Sequence, residues 1–476
     1  MGHVEGLSRD QRLLWSPSLD EVLGAEHPVR VIDAFVDTLD LKGLGFSKVE
    51  AEATGRPPYR PGDLLKLYVY GYANRVRSSR GLEREAARNI EVQWLINRLT
   101  PSFKTLADFR KDHPEAIVAV TGAFVRFCRA QWLYGAELVA IDGSKIEAVA
   151  SRKQVITPGR LAKQVAGIDA KIAEHLAAMD AADREEARAE AQVADVTAAL
   201  EALKTQSREL QARAKALTDK GLTQAVDGEA DARLMRTARH GHQVAYNAQT
   251  AVDAKHGLIA AFDLTNAGND LNQLLPMAEA AKQALEAETL TALADAGYSN
   301  GEQGLACEAA DIIAIVPRPE TVNPKNPEFF TREAFTYDGP SDSFTCPAGE
   351  TLACVTVSQT EQKMYYSTKA CADCQLKAGC TKAANRMIVR GFYEDAKEAM
   401  HRRAMADPVW MKRRRELAEH PFGAMKWAMG CPRFLVRGLL KAKSELALIV
   451  LGFNLKRVVS ILGVPALLAA LKAQPA

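Results

Sequence analysis

Leu138-Val139-Ala140-Ile141-Asp142-Gly143-Ser144-Lys145 is the stretch on which the reading of this chain turns. The apolar run reads as a strand continuing to Ile146, and it brings a carboxylate to a sheet edge where Gly143-Ser144-Lys145 lets backbone crowd a ligand. A strand-end aspartate can equally cap a turn, so Asp142 gains weight only from what repeats it. Leu290-Thr291-Ala292-Leu293-Ala294 ends in Asp295, followed by Ala296-Gly297-Tyr298-Ser299-Asn300, a tight turn and a helix start. A third acid, Glu419, lies in the basic stretch Arg413-Arg414-Arg415-Glu416-Leu417-Ala418-Glu419. Glu416 and Glu445 are its rivals. Glu419 is favoured because Arg415 one helical turn before it and Lys426 about two turns after it place phosphate-binding cations on neighbouring faces. Two strand-end aspartates and a helical glutamate suit a pair of Mg²⁺ ions poised for in-line attack on a phosphodiester. Glu147, Asp253 and Asp270 read as supporting or structural acids.

Outward from Asp142, the chain alternates strands and helices. A long polar helical insert follows the first strand, with Leu161, Val165, Ile168, Ile172, Leu176 and Met179 at three-four spacing, and Val193, Val196, Leu200, Leu203, Ser207, Leu210, Ala214 and Leu217 likewise. The two arms should pack as an antiparallel hairpin, for self-association, for DNA contact or as a spacer. Gln243–Asp253 and Leu258–Leu264, split by Ala254-Lys255-His256-Gly257, form a hairpin signal. A helix through Leu271–Leu285, the strand ending at Asp295, a helix from about Asn300 and the strand Asp311–Val316 complete the order. This predicts an α/β sheet, mixed in its first half and parallel in its second.

Before this core, residues 27–130 read as helical, with Pro61 able to open a helix after the Pro57-Pro58-Tyr59-Arg60 loop. Arg75, Arg77, Arg80 and Arg84 cluster across a helix end and turn, which is either a DNA-docking face or a solvated basic face. The net charge of +2 conceals basic segments at 56–111 and 390–457 and an acidic stretch at 171–201. Such segments suit a phosphate backbone as partner. No run is long enough to span a bilayer, and Met1-Gly2-His3-Val4-Glu5 lacks a signal-peptide core, so a cytoplasmic, nucleoid-associated location is expected.

Of eight cysteines, five fall between 346 and 380. Clustering favours metal over disulfide: Cys346, Cys371, Cys374 and Cys380 could supply four thiolates to a structural Zn²⁺, with reduced thiols as the alternative and Cys354 buried. His420 reads as a structural or DNA-facing residue, since hard Mg²⁺ prefers oxygen ligands, and His240 and His242 as loop residues.

Several of these segments together resemble the bacterial insertion-sequence transposases of the DDE type, over nearly the whole chain. They are Pro61–Leu82, Leu99-Thr100-Pro101-Ser102-Phe103-Lys104-Thr105, Phe109-Arg110-Lys111-Asp112-His113, Ile141–Lys145, Tyr246-Asn247-Ala248-Gln249-Thr250-Ala251-Val252-Asp253, Ala294–Tyr298 and Glu419-His420-Pro421-Phe422-Gly423. The family's third-acid signature sets a tyrosine, an arginine, a glutamate and a lysine at fixed offsets. Arg415, Glu419 and Lys426 match it, while Lys412 stands at the tyrosine position. The resemblance implies an α/β RNase H-like catalytic core (135–320 and 386–460) with an all-α N-terminal DNA-binding domain (1–130). It further implies a helical or coiled-coil insertion (157–235) and a small Cys-rich, zinc-ribbon-like insertion (340–385). It implies Asp142, Asp295 and Glu419 as ligands of two Mg²⁺ or Mn²⁺ ions. Arg415 and Lys426 become contacts to transposon-end DNA. The partners are the element's terminal inverted repeats and target DNA, bound by a homodimer. A Mg²⁺-dependent nuclease of the same fold and a catalytically inactive DNA-binding protein are the alternatives.

Overall fold

The computed structural model describes residues 17–50, 57–182, 190–219, 221–237, 241–320 and 326–473, with the side chains of 178–182 and 190–196 excepted. Met1–Glu5, His240 and the side chains of Met179, Val193 and Val196 therefore lie outside the described residues.

The chain opens with helices α1 (Leu19–Val22), α2 (Val29–Asp37), α3 (Pro61–Ala73), α4 (Ser79–Arg88), α5 (Ile90–Leu95), α6 (Phe103–Asp112) and α7 (Pro114–Ala130). Their starts are written in the sequence. Pro61 and Pro114 occupy first-turn positions where a missing N–H costs nothing, and the side chains of Ser78, Asn89 and Ser102 accept backbone N–H groups as N-caps. Helix α3 is buried from Leu64 through Ala73, so it is an interior helix rather than an amphipathic one.

Next come β1 (Leu138–Glu147), β2 (Val155–Ile156), α8 (Pro158–Ala182), α9 (Glu190–Asp219), β3 (Ala225–Val226), β4 (Arg233–Thr237), β5 (Gly241–Asp253), β6 (Ile259–Thr265), α10 (Leu274–Leu285), β7 (Leu290–Leu293), α11 (Gly301–Ala309) and β8 (Ile312–Ile315). Strand β1 pairs antiparallel with β5 and parallel with β7, and β7 pairs parallel with β8. On its other edge β5 pairs with β4 through its first half and with β6 through its second. The sheet is thus antiparallel on the β5 side of β1 and parallel on the other; the parallel second half is as the strand order predicted, while the first half, expected to be mixed, is antiparallel.

Helices α8 and α9 pack on each other, with Leu161, Leu200, Ser207 and Leu217 buried, and the Ser207 hydroxyl donates to Asp169 at 3.1 Å. The two-residue ribbon β2–β3 closes the base of this arm. The expected arm ends too late: Arg233–Thr237 is an edge strand of the main sheet, because its apolar Leu234 and Met235 pair beside Val244 and Gln243.

After β8 a separate antiparallel meander forms from β9 (Thr336–Asp338), β10 (Ser343–Thr345), β11 (Thr351–Ser358), β12 (Lys363–Ser367) and β13 (Met387–Gly391) around Phe335, Phe344, Leu352, Tyr366 and Ile388. It reaches beyond the 340–385 expected, since Met387–Gly391 pairs with β12 rather than joining the main sheet. The chain ends with α12 (Glu394–Ala406), α13 (Val409–Gly423), α14 (Leu439–Leu462) and α15 (Val464–Lys472).

Helix α14 is buried along most of its length and packs on α3, α7 and β6. The N-terminal helices and the sheet consequently share one continuous core. Among the described residues no single helix is long and apolar enough to cross a membrane; α14 and α15 pass such a test only as a pair bent by 107°.

Candidate active site

Strand β7 accompanies β1 only from Leu138↔Thr291 to Ala140↔Leu293. Two residues beyond that last pair stand Asp142 and Asp295, so parallel register alone sets the two carboxylates side by side. Asp142 is not at a strand end as expected. Strand β1 runs on to Glu147 because β5 supports it on the other flank. Helix α13 crosses the sheet here, with Leu417 and Ala418 packed on Ala140, Leu293 and Ile315.

One turn before Ala418, Arg414 reaches both acids. Its Nη2 donates to Asp142 Oδ1 at 2.7 Å and to Asp295 Oδ2 at 3.2 Å. Asp142 Oδ1 also accepts from the Gly143 amide at 2.9 Å, while Asp295 caps its own turn by accepting from Gly297 at 2.8 Å. Asp142 and Arg414 are largely enclosed, with side-chain exposures of 16% and 12%, whereas Asp295 is 48% exposed. Burial pushes the Asp142 carboxyl up to about 6 against the opposing pull of Arg414, helped by the charges of Asp295 and Asp270.

A single cationic nitrogen held by two carboxylates from neighbouring strands marks a position where these acids can share a metal ion, so Asp142 and Asp295 fit that role. The third expected ligand is not gathered with them. Glu419 is solvent-exposed, and among the described residues no three His, Cys, Asp or Glu side chains lie close enough to hold a metal. Glu445 is fully buried against Arg77 at 2.8 Å and so drops out as a rival; Glu416 is exposed.

The arginine on the acids is Arg414, where Arg415 is exposed. The signal lay in Leu417-Ala418: that apolar pair marks the buried face, and a residue three to four positions earlier shares it. Lys426 does approach the site, donating to Ser144 Oγ at 2.5 Å and to the Lys145 carbonyl at 2.8 Å. It does so from a π-helical turn, Ala424–Ala428, that follows Pro421 inside α13.

Of the basic cluster, Arg77 is committed inside the molecule, while Arg75 stays exposed. Arg75 donates to the Ala428 carbonyl, and Arg77 to the carbonyls of Gly430 (2.7 Å) and Arg433 and to Glu445. A helix end rich in arginine looks the same in sequence whether it faces DNA or a neighbouring loop. Arg80 is exposed and lies over the Phe103 ring at 5.0 Å.

Cys346, Cys371, Cys374 and Cys380 line one enclosed cavity of about 20 Å³ beside the meander, all as free thiols. Burial raises the Cys380 thiol above its ordinary value. Cys354 is half-buried rather than buried, and its thiol faces the Thr356 carbonyl. The His420 ring lies tilted beside Phe453 with centroids 6.0 Å apart, and His242 is exposed but lies in β5 rather than in a loop, because it pairs with Arg236 of β4. Asp253 is structural: fully buried, it accepts from the amides of Gly135, Ala136 and Lys255.

A helical N-terminal region joined to a mixed sheet, with paired carboxylates on its parallel half, is consistent with the RNase H-like class of nucleic-acid phosphotransferases. Residues 17–112 match the family described as Transposase domain (DUF772), and residues 345–459 match the Transposase DDE domain. The chain thus carries a transposase N-terminal domain and a transposase DDE domain, the combination found in insertion-sequence transposases. No curated protein and no solved structure matches it.

Proposed function

We propose that this transposase binds the terminal inverted repeats of its own element, cuts the phosphodiester there and joins the freed 3′-hydroxyl to target DNA. The observation that carries this reading is the convergence of Asp142 and Asp295 on one cationic nitrogen, two residues past the last parallel pair of β1 and β7. With Mg²⁺ or Mn²⁺ bound, two ions would supply charge neutralisation of the phosphoryl centre and an activated nucleophile. Asp142 and Asp295 hold that charge. Arg414, freed from them, is within reach of a phosphate oxygen.

Glu419 is assigned as the third acid. It shares the stripe Arg415, Glu419, Phe422, Lys426 on α13 and the turn after it, and the far end of that stripe touches β1 through Lys426. Arg415, Lys426 and Arg80 are assigned to the DNA backbone, the α8–α9 hairpin to self-association in a dimer on DNA, and the site of action to the nucleoid in the cytoplasm. The four cysteines at this cavity are assigned to one structural Zn²⁺, because thiolates suit a soft-ligand ion; binding would have to draw them closer together than they stand here.

The deciding experiment incubates labelled terminal-repeat duplex with Mg²⁺ and compares wild type with Asp142→Asn and Glu419→Gln. Cutting and joining by wild type alone support the proposal with its acids. Cutting without joining by wild type points to a nuclease. Binding without cutting points to an inactive DNA-binding protein. For the cysteines, elemental analysis should give about one zinc per chain, lost in Cys371→Ser/Cys374→Ser.

A further inference from the structure

The segment Tyr246–Asp253 carries two amides, Asn247 and Gln249, that are fully buried on β5 and have no part in the site above. Antiparallel register sets Gln249 opposite Gly143 and Asn247 opposite Lys145. Residues alternate across a strand, so these side chains occupy the face of the sheet opposite that of Asp142 and Ser144. There they gather around Asp270, which lies in the loop before α10. Asp270 Oδ1 accepts from Asn247 Nδ2 and from Gln249 Nε2, both at 2.7 Å, and Lys145 Nζ lies 3.3 Å from each of its oxygens.

The other end of the Gln249 amide is also used: its Oε1 accepts from the hydroxyl of Tyr298. One nitrogen donating to a carboxylate and one oxygen accepting from a phenol leave a single orientation for that amide. Tyr298 is buried and closes the turn that begins at Asp295, its amide donating to the Asp295 carbonyl at 3.1 Å. The chain Asp270–Gln249–Tyr298 therefore runs behind the sheet from the loop before α10 to the turn bearing one aspartate. It also touches the residue beside the other. A Cβ on Gly143 would stand 2.3 Å from Gln249 Nε2 and 2.7 Å from Asp270 Oδ1, so glycine there is what lets the network lie against β1.

We propose that Asp270, acting through Gln249 and Tyr298, is a positioning residue that fixes the separation of the two aspartates from behind the sheet. This rests on the transposase reading of the site. Asp270 itself touches neither substrate nor metal; what it holds is the turn of Asp295 against β1. Buried amides and a phenol serve better here than apolar residues because hydrogen bonds have direction, whereas packing alone permits sub-ångström drift.

The test compares wild type, Tyr298→Phe, Asp270→Ala, and Asp270→Asn, whose carbonyl oxygen keeps an acceptor facing Gln249 and Asn247. Hydrogen exchange of the peptide spanning 293–300 is read in the metal-free protein, together with Mn²⁺ affinity by electron paramagnetic resonance and the nicking rate on terminal-repeat duplex. In Tyr298→Phe and Asp270→Ala, exchange in that peptide should rise about tenfold with the rest of the sheet unchanged. Mn²⁺ affinity and kcat should each fall about tenfold or more at constant KM for DNA, and Asp270→Asn should retain most of both. Unchanged exchange, or a loss confined to KM, overturns the proposal. Should wild type neither cut nor bind Mn²⁺, the transposase site is at fault, and the exchange data alone decide whether the brace exists.

Discussion

At Asp142 function and stability pull apart. Its carboxyl sits at about 6 in the folded chain against 3.8 for the ordinary group, with burial the larger cause and Arg414 only partly offsetting it. A folded-state pKa above the unfolded one means that folding favours the neutral acid, so stability is lost as pH rises through the window from about 4 to 6. At pH 7 the ionised group costs at most about 3 kcal/mol. Asp142→Asn should therefore raise the melting temperature at pH 7, with the gain fading toward pH 4, while abolishing cleavage; thermal melts across that range check it. Arg414→Ala removes the cation that holds the carboxyl down. Carbon NMR titration of the metal-free variant should then find Asp142 above its wild-type value, and a fall would contradict the geometry.

Among the elements, the arm is separable and the sheet is not. The β2–β3 ribbon, pairing Val155 with Val226 and Ile156 with Ala225, already closes the base of α8 and α9. Replacing residues 158–223 by an Asn-Gly turn should leave the sheet folded, with a melting midpoint within a few degrees of wild type, and should abolish dimer formation on DNA if the hairpin mediates it. Light scattering of the protein–DNA complex reads this. The strands and the arm were legible in the sequence because period-two and three-four patterns report burial locally. Asp142 and Asp295 were legible for the same reason, each standing at the end of an apolar run. What escaped was relational: that Arg414 reaches both aspartates depends on which way α13 faces, and the setting of Glu419 on how a helix with an internal proline lies over a sheet nearly 300 residues earlier in sequence. Edge strand β4 escaped too, since five residues beside a polar hairpin carry little periodic signal.

Across the whole molecule, the N-terminal helices and the sheet stand on one shared core. Arg77, with a side-chain exposure of 10%, pairs with the fully buried Glu445 of α14 and also ties down the loop at Gly430–Arg433. Removing one partner strands a buried charge, a loss of about 3–5 kcal/mol, whereas replacing both with apolar residues is nearly neutral. Arg77→Ala should lower the urea midpoint sharply, and Arg77→Met/Glu445→Leu should recover most of it. A fragment ending at residue 130 exposes the buried faces of α3 and α7 that α14 covers, so it should show helical circular dichroism without a cooperative melt.

That same helix sets a timetable for synthesis. Helix α3 leaves the ribosome complete at residue 73, but the surface that covers it begins at Leu439. At roughly 5–20 residues per second the nascent chain waits roughly 20–70 s with an apolar helix uncovered. Throughout that interval it is a natural client for chaperones, and the α13 arginine that closes over the Asp142–Asp295 pair emerges only near its end. A chain stalled before α14 should thus leave behind a partly folded protein whose proposed site is unfinished, and the proposed DNA chemistry should come only with the last tenth of the sequence.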